Sequence, residues 1–334
     1  MEGSFFNWAD RPVLVTGAGG FIGSHLVEQL LQLKAKVHCF LRYNSLSRKG
    51  FLDILGETER AKLQIITGDL ESQETVMHAA KGVDIIFHLG ALVSVPYSFL
   101  HPEETVRTNT IGTLNVLMAA RRYGISKTVI TSTSEVYGTA RYVPMDEEHP
   151  LQAQSPYAAS KIAADKLAES FYRAYGLPVA IARPFNTYGP RQSTRAVIPT
   201  VIAQALIRSE LILGDTSTTR DFTFVKDTVA GLLRIAETEE AIGEVINLGS
   251  NSEITISDLV QLVAKLSGRN LRIVKDPKRI RPGTSEVRRL YAANEKAKRL
   301  LSWKPTVTLE EGLRRTMAWV KDNLDLFEAD RYGI

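Results

Sequence analysis

Short, nearly continuous apolar runs alternate along this chain with longer segments in which apolar positions recur every three or four residues. The runs at 12–16, 36–41, 63–67, 84–89, 127–132 and 178–183 are rich in Val, Ile, Leu and Phe and are predicted strands. Between them, 22–33, 73–81, 103–123 and 156–175 carry helical periodicity. Strands apolar on both faces and separated by helices predict a parallel sheet covered on both sides, an α/β doubly wound sheet of Rossmann type. The 103–123 and 156–175 segments are longer and more apolar than a plain surface helix needs. Covering the sheet and packing across a homodimer interface both account for them.

After Arg183 the pattern changes. Residues 184–191, PFNTYGPR, have a loop-forming composition at a strand end. A helix is predicted at 196–208, a strand at 220–225, a helix at 226–237 and a further sheet strand at 244–248. Beyond 251 short helices and strands alternate around a basic loop at 278–289, and no repeat or linker separates the parts. The expected division is a dinucleotide-binding Rossmann domain from 1–186 and 221–250. A smaller mixed α/β lobe from 187–220 and 251–334 would bind substrate, with the cleft between the two.

Composition narrows the function classes. The chain has 334 residues and a net charge of only +4, a weak balance for its length. That argues against a nucleic-acid footprint and is compatible with a pocket for an anionic small molecule. Cys39 is the single cysteine, so neither an intrachain disulfide nor a thiolate metal site can form, and the six histidines lack ligand spacing. No metal is expected. Residues 1–6 lack the basic-then-apolar pattern of a signal peptide, and no apolar run approaches the roughly 18 residues of a membrane span. The expectation is a cytoplasmic protein without a membrane or nucleic-acid partner.

Gly17, Gly20 and Gly23 form GxxGxxG, with Gly19, Phe21 and Ile22 in the same turn, between the first strand and the first helix. Glycine there allows a tight turn and close approach of a pyrophosphate to the helix N-terminus. A nicotinamide dinucleotide, NAD or NADP, is expected. At the end of the second strand Leu41 cannot bond a ribose hydroxyl, whereas Arg42 can pair with a 2′-phosphate, which leans towards NADP and leaves the choice open. Asp69 and Leu70 follow the third strand, where the carboxylate can accept from the adenine amino group. Leu89 and Ala91 follow the fourth, where small residues let the backbone run along the cofactor. His88 reads as a packed strand histidine and Asn109 as an amide that pins the sheet edge.

The reaction chemistry is expected at Tyr157 and Lys161, one helical turn apart on one face. A fixed ammonium lowers a phenol's pKa towards neutrality and can hold a cofactor ribose. Upstream, Thr133, Ser134 and Glu135 add a hydroxyl pair and a second base of another type. Two different bases in one site point beyond simple alcohol oxidation.

These residues, with TSTSEVYG at 131–138, RPFNTYGPR at 183–191, RDFTFVKD at 220–227 and RPGTSEVRR at 281–289, resemble the extended short-chain dehydrogenase/reductases that act on nucleotide sugars. Within them the chain is most similar to the 4,6-dehydratases. The stretches ALVSVPYSF, HPLQAQSPYAASK, RPFNTYGPRQ and TRDFTFVKDT bring it nearest to the dehydratases of legionaminic acid pathways, which act on a nucleotide-linked N-acetylglucosamine. The resemblance implies a tightly held nicotinamide cofactor regenerated in each turnover. It also implies oxidation at sugar carbon 4 with Tyr157 as base, loss of water across carbons 5 and 6 through Glu135, and a 4-keto-6-deoxy product. Many dTDP-glucose dehydratases carry Thr-Asp-Glu at the catalytic strand end. Ser134 here matches the GDP-mannose type, so Glu135 must take one proton and deliver it. Ser94 and Tyr97 are candidates to touch the sugar, and Asn186, Arg191, Arg220 and Arg281 to hold the diphosphate. UDP-glucuronate decarboxylation and 4-epimerisation are alternatives. The former needs a cation for the sugar carboxylate, which is not evident near Glu135 in the sequence, and the latter leaves Glu135 idle. A non-catalytic dinucleotide-binding regulator has no need for the Tyr–Lys pair.

Overall fold

A computed structural model describes residues 6–281 and 283–327. Most of the N-terminal stretch read for a signal pattern, and Pro282 of the basic loop, lie outside these residues. Seven parallel strands form the main sheet: β1 (Pro12–Thr16), β2 (Lys36–Arg42), β3 (Gln64–Gly68), β4 (Ile85–His88), β5 (Lys127–Thr131), β6 (Val179–Pro184) and, later in the chain, Val245–Leu248. The smaller strands are β7 (Asn186–Tyr188), β8 (Glu210–Leu213), β9 (Thr219–Arg220), β10 (Phe222–Phe224), β12 (Ile254–Thr255) and β13 (Arg272–Lys275), which makes Val245–Leu248 β11. The sheet order is β11-β6-β5-β4-β1-β2-β3, so the order reverses at β1 and β4. A crevice outside the carboxyl ends of the strands at such a reversal is where ligands bind in open α/β sheets.

The helices are α1 (Phe21–Gln32), α2 (Glu57–Arg60), α3 (Gln73–Ala80), α4 (Val95–Leu100), α5 (Pro102–Val106), α6 (Gly112–Tyr123), α7 (Pro156–Tyr175), α8 (Val197–Ile207), α9 (Val225–Glu237), α10 (Ile256–Ser267), α11 (Glu295–Leu301) and α12 (Leu309–Asp322). One sheet face buries Val13, Val15 and Phe87 against Leu26 and Leu30 of α1 and Leu232 and Ile235 of α9. The other buries Leu14, Ile86 and Ile130 against Val76, Leu117 and Ala168 of α3, α6 and α7. Alternation along β1 (Val13 and Val15 one way, Leu14 the other) is what a strand buried on both faces requires. A third core, with Val201, Leu211, Phe224, Leu259 and Leu313, belongs to the smaller lobe. None of the described helices is long and apolar enough to cross a membrane.

Four local departures from the expected pattern have physical causes. The helix expected over 103–123 is interrupted by a π-type turn at Arg107–Ile111, where Asn109 turns inward. Its amide donates to the Leu92 carbonyl at 3.0 Å and to Ser160 Oγ at 2.9 Å, while its oxygen accepts from Leu92 N at 2.8 Å. The strand expected over 220–225 is two strands in two different sheets, broken at Asp221. That buried carboxylate accepts from Ser250 N at 2.7 Å and from Ala292 N at 3.2 Å, so it gathers two distant loops instead of continuing a ladder. Part of the loop expected at 184–191 is β7, paired in parallel with β10. Finally, α11 packs with the large-sheet core through Ala297 and Leu301, and Phe222 and Phe224 join the smaller lobe's core.

Helix α7 places the chemistry. Ser155 caps it by accepting from Ala158 N at 3.1 Å, Pro156 suits the first turn, and Gly176 at φ +63° ends it. Its depth against the sheet is set by Asp165, whose Oδ2 accepts from Arg183 Nη2 at 2.9 Å and Nε at 3.1 Å. Arg183 Nη1 donates on to the Tyr137 hydroxyl at 2.9 Å, which donates to Asn247 Oδ1 at 2.8 Å. This network joins α7, β6, β11 and the 3₁₀ turn Ser134–Tyr137 in a region closed to water. Removing one partner leaves an uncompensated buried charge, so Arg183→Met is expected to cost about 3–5 kcal/mol. Urea denaturation of the two proteins measures it, and a loss well under 1 kcal/mol would show that the pair does not set the depth of α7.

Candidate active site

The carboxyl ends of the strands open into a cleft of about 850 Å³ between the large sheet and the smaller lobe. Gly17, at φ +69°, passes so close to the β4 end that an added Cβ would lie 2.8 Å from Gly90 N. A Cβ on Gly23 would lie 2.2 Å from Gly17 O. The turn is therefore packed to the limit, and it leaves the free N–H groups at the start of α1 facing the cleft. Gly19, Gly20, Phe21, Ile22, Arg42, Asp69, Leu70, Leu89 and Ala91 line the same end. This cradle fits the pyrophosphate and ribose of a dinucleotide. Arg48, Lys49 and Gly50, which the sequence reading missed, close over it, with Phe51 N donating to Gly19 O at 2.9 Å. Their run carries no periodicity or motif by which to find it.

Arg42 is engaged with acids. Its guanidinium lies 4.0 Å from Asp69 Oδ2 and 3.7 Å from Glu104 Oε1. Asp69 also accepts from Glu71 N at 2.9 Å. His88 is fully buried between Thr16 Oγ1 at 2.8 Å and Thr113 Oγ1 at 3.1 Å. Burial, with the Lys161 charge adding to it, pushes its pKa down to about 3, so the imidazole is neutral. It is a packed strand histidine, as read from the sequence.

Thr133, Ser134, Glu135, Tyr157 and Lys161 converge on the cleft. Lys161 Nζ donates to the Thr131 carbonyl at 2.6 Å, which ties α7 to β5. Burial lowers its pKa to about 8, with Asp165 opposing. The expected effect of Lys161 on the phenol is not what the geometry gives. Burial raises the Tyr157 pKa well above the ordinary phenol value; a hydrogen bond with Thr133 opposes this, and the charges of Glu135 and Asp165 add to it. Lys161 directs its ammonium at the Thr131 carbonyl rather than at the phenol. Thr133 also accepts from Glu135 N at 3.2 Å, which starts the 3₁₀ turn that holds the Glu135 carboxylate over the cleft.

The smaller lobe brings up the expected polar groups unevenly. Asn186, Arg220 and Arg281 line the cleft, and Asn186 Oδ1 is buried without a hydrogen-bond partner among the described residues. Ser94 lines it too, while capping α4 by accepting from Tyr97 N at 3.3 Å. Arg191 does not line it. At φ +71° it turns back to α1, where Nη2 donates to Glu28 Oε2 at 2.8 Å. Tyr97 also leaves the cleft, donating to Glu104 Oε2 at 2.5 Å. The cation that the sequence did not show near Glu135 is Arg281, whose Nη1 lies 3.3 Å from Glu135 Oε2. Glu286, five residues on, accepts from Arg220 Nη2 at 3.1 Å and also faces the cleft. Separations of 146 and 66 residues hide both contacts from any local pattern.

The sequence profile described as GDP-mannose 4,6 dehydratase matches residues 14–316. The putative UDP-glucose 4-epimerase of Methanocaldococcus jannaschii is 31% identical over 316 residues, spanning 93% of this chain and 99% of its own. UDP-glucuronic acid decarboxylase 6 of Arabidopsis thaliana is 34% identical over 328 residues, spanning 94% of this chain and 90% of its own. The solved structure of DesIV, a dTDP-glucose 4,6-dehydratase from Streptomyces venezuelae with NAD and TYD bound, is 31% identical with a TM-score of 0.83, over 95% of this chain and 99% of that one. These three relatives are named for three reactions on nucleotide sugars. The chain belongs to the GDP-mannose 4,6-dehydratase family of extended short-chain dehydrogenase/reductases, a family of NAD-dependent epimerases and dehydratases.

Proposed function

We propose that this enzyme is a nucleotide-sugar 4,6-dehydratase, acting on a hexose of N-acetylglucosamine type and leaving a 4-keto-6-deoxy sugar. The observation that carries the reading is the convergence of a carboxylate, Glu135, with Thr133, Tyr157 and Lys161 on one cleft. A nicotinamide dinucleotide held at the glycine turn would supply the hydride exchange between sugar carbons 4 and 6. Tyr157 takes the proton of the 4-hydroxyl, which Thr133 orients; because the product keeps its 4-ketone, that proton is made good at carbon 5, through Glu135, as hydride adds at carbon 6. Lys161, fixed by Thr131, holds the cofactor's ribose. Once carbon 4 is a ketone, the proton on carbon 5 is acidic. Glu135 takes it and delivers a proton to the departing 6-hydroxyl, which Ser134 orients. Such positioned groups contribute about 10²–10⁴-fold each.

Epimerisation needs only the hydroxyl and the phenol, and gives Glu135 no work. Decarboxylation is the second reading, favoured by Arg281 lying within reach of Glu135. Against it, a sugar carboxylate on Arg281 would crowd Glu135 with like charge, and loss of carbon dioxide beside a ketone needs no base at carbon 5.

The cofactor is proposed to be NAD. A 2′-phosphate near Arg42 would also meet the carboxylates of Asp69 and Glu104. The exposed apolar residues Val106, Ile111 and Met118, spread along α5 to α6, are proposed as a homodimer face.

Incubation of the protein with UDP-, GDP- and dTDP-linked glucose and N-acetylglucosamine, read by mass, is expected to give loss of 18 Da; loss of 44 Da from the glucuronate analogue alone would establish the decarboxylase instead. With the substrate so found, Glu135→Gln should slow both dehydration and solvent deuterium entry at carbon 5 by at least about 100-fold. Normal exchange in that variant removes Glu135 as the base. Fluorescence titration of cofactor-free protein should show NADH binding about tenfold tighter than NADPH, with Glu104→Gln narrowing the gap; equal binding by the unaltered protein ends the NAD assignment. Ile111→Asp should yield monomers in sedimentation, whereas an unchanged mass moves the interface elsewhere.

A further inference from the structure

Arg281 and Glu286 lie on a span of the smaller lobe, 280–287, that is held at both ends. Before it, Asp276 N donates to Leu213 O at 2.8 Å, and a Cβ on Gly214 would lie 2.5 Å from Arg279 O. After it, Thr219 N donates to Arg288 O at 3.0 Å, and Leu290 N to Thr219 O at 3.2 Å. Between these anchorages a side chain from the start of α7 grips the span. Gln154 Nε2 donates to Thr284 O at 2.7 Å and to Glu286 O at 3.4 Å. Its Oε1 accepts from Thr139 N at 2.5 Å.

Gln154 stands where three pieces of the cleft wall meet. It immediately precedes Ser155, the cap of α7, and lies three residues before Tyr157. Thr139 follows Gly138, where the turn that carries Glu135 ends. A Cβ on Gly138 would lie 2.6 Å from Gln154 Oε1, so the two segments touch with no room to spare. The third piece is the span itself. Thr139 Oγ1 also reaches Glu286 O at 3.4 Å and accepts from Arg288 N at 3.1 Å, ties that lie towards the Arg288 end. Gln154 reaches further up, to Thr284, three residues from Arg281. One orientation of the amide satisfies all its bonds, because Thr139 N can only donate and the two carbonyls can only accept. Its oxygen is therefore committed to the catalytic turn and its nitrogen to the span.

A nucleotide sugar is a long ligand, gripped at the hexose by the catalytic residues and at the diphosphate by the arginines of the smaller lobe. The separation of the two grips has to match the molecule. We propose that Gln154 is a positioning residue that fixes this separation: its amide ties the span bearing Arg281 to the catalytic turn and to the start of α7, so that the diphosphate is received at one set distance from Glu135 and Tyr157. The inference rests on the nucleotide-sugar reading above and adds the element that registers one end of the substrate against the other. Gln154 is not among the residues that line the cleft, so it acts through the span and not by touching the ligand. A loosened span must be ordered as the diphosphate binds, which weakens affinity.

The discriminating variant is Gln154→Glu, which keeps an acceptor for Thr139 N and removes the donors to the span. UDP, GDP and dTDP, and separately NADH, are titrated calorimetrically into the unaltered protein and the variant. The nucleoside diphosphate that the unaltered protein binds best should bind the variant about tenfold more weakly, with NADH affinity unchanged. In turnover, KM for the matching nucleotide sugar should rise about tenfold while kcat stays within about twofold. A merely structural Gln154 would weaken NADH and the diphosphate alike. Unchanged diphosphate binding, an equal loss for NADH, or a fall in kcat with KM unmoved each overturn the proposal.

A second measurement needs no ligand. Amide hydrogen exchange over 283–287, read by mass, should be severalfold faster in Gln154→Glu, and an unmoved rate there overturns the proposal. Gln154→Met, of similar length and without either bond, serves if the added charge prevents folding, with the same losses expected in diphosphate binding and in protection of 283–287. Absence of any nucleoside diphosphate binding to the unaltered protein removes the nucleotide-sugar reading and this inference together. Equal diphosphate binding by both proteins, with loss of 18 Da intact in the mass panel, removes the positioning role alone.

Discussion

The ion pair between Asp165 and Arg183 is sealed from solvent, and the geometry of the catalytic wall follows from it. Both side chains are almost wholly buried, with 2% and 5% exposure. Two charges so placed need each other, which fixes the depth of α7 on the sheet. Lys161 lies one turn before Asp165, and its ammonium finds the Thr131 carbonyl; Tyr157 lies one turn further back, beside Thr133. Arg183 also reaches Tyr137, at the end of the turn that carries Glu135. A single buried contact thus registers the phenol, the amine and the carboxylate against one another, and the chemistry asks for little further adjustment.

Much of this was legible in the sequence because it is local. The glycines at 17, 20 and 23 lie in one turn, and Tyr157 and Lys161 lie on one helix face. The sheet strands announced themselves because burial on both faces demands apolar residues at every position. What escaped depends on contacts between distant segments. The π-type turn at Arg107–Ile111 exists because Asn109 bonds Leu92 and Ser160. The break at Asp221 exists because loops near 250 and 292 need an acceptor. Arg191 follows a strand end and resembles a phosphate ligand, yet Glu28 on α1 claims it. The Tyr157 pKa could not be read from spacing alone, since burial outweighs what a neighbour in sequence supplies.

The cleft divides its electrostatic work by end. At the glycine turn the positive character comes from the α1 N-terminus, since Arg42 at that end is held by Asp69 and Glu104. At the lobe side it comes from arginines that are already matched by carboxylates. A ligand at the first end meets donors ready to bond, while one at the second must exchange partners. Burial of Arg220, which weakens its hold on its proton, makes a resident carboxylate such as Glu286 necessary there.

The chain passes repeatedly between the two lobes. It leaves the large sheet after β6, returns with α9 and β11, departs through β12 to β13, packs α11 back on the large core and ends with α12 on the small one. Asp221 and Asp227 stitch these passages together, the latter by accepting from Thr306 N and Val307 N, both at 3.0 Å. A hinge would have to bend all of these threads at once. The lobes are consequently joined by several crossings of the chain rather than by a single connection.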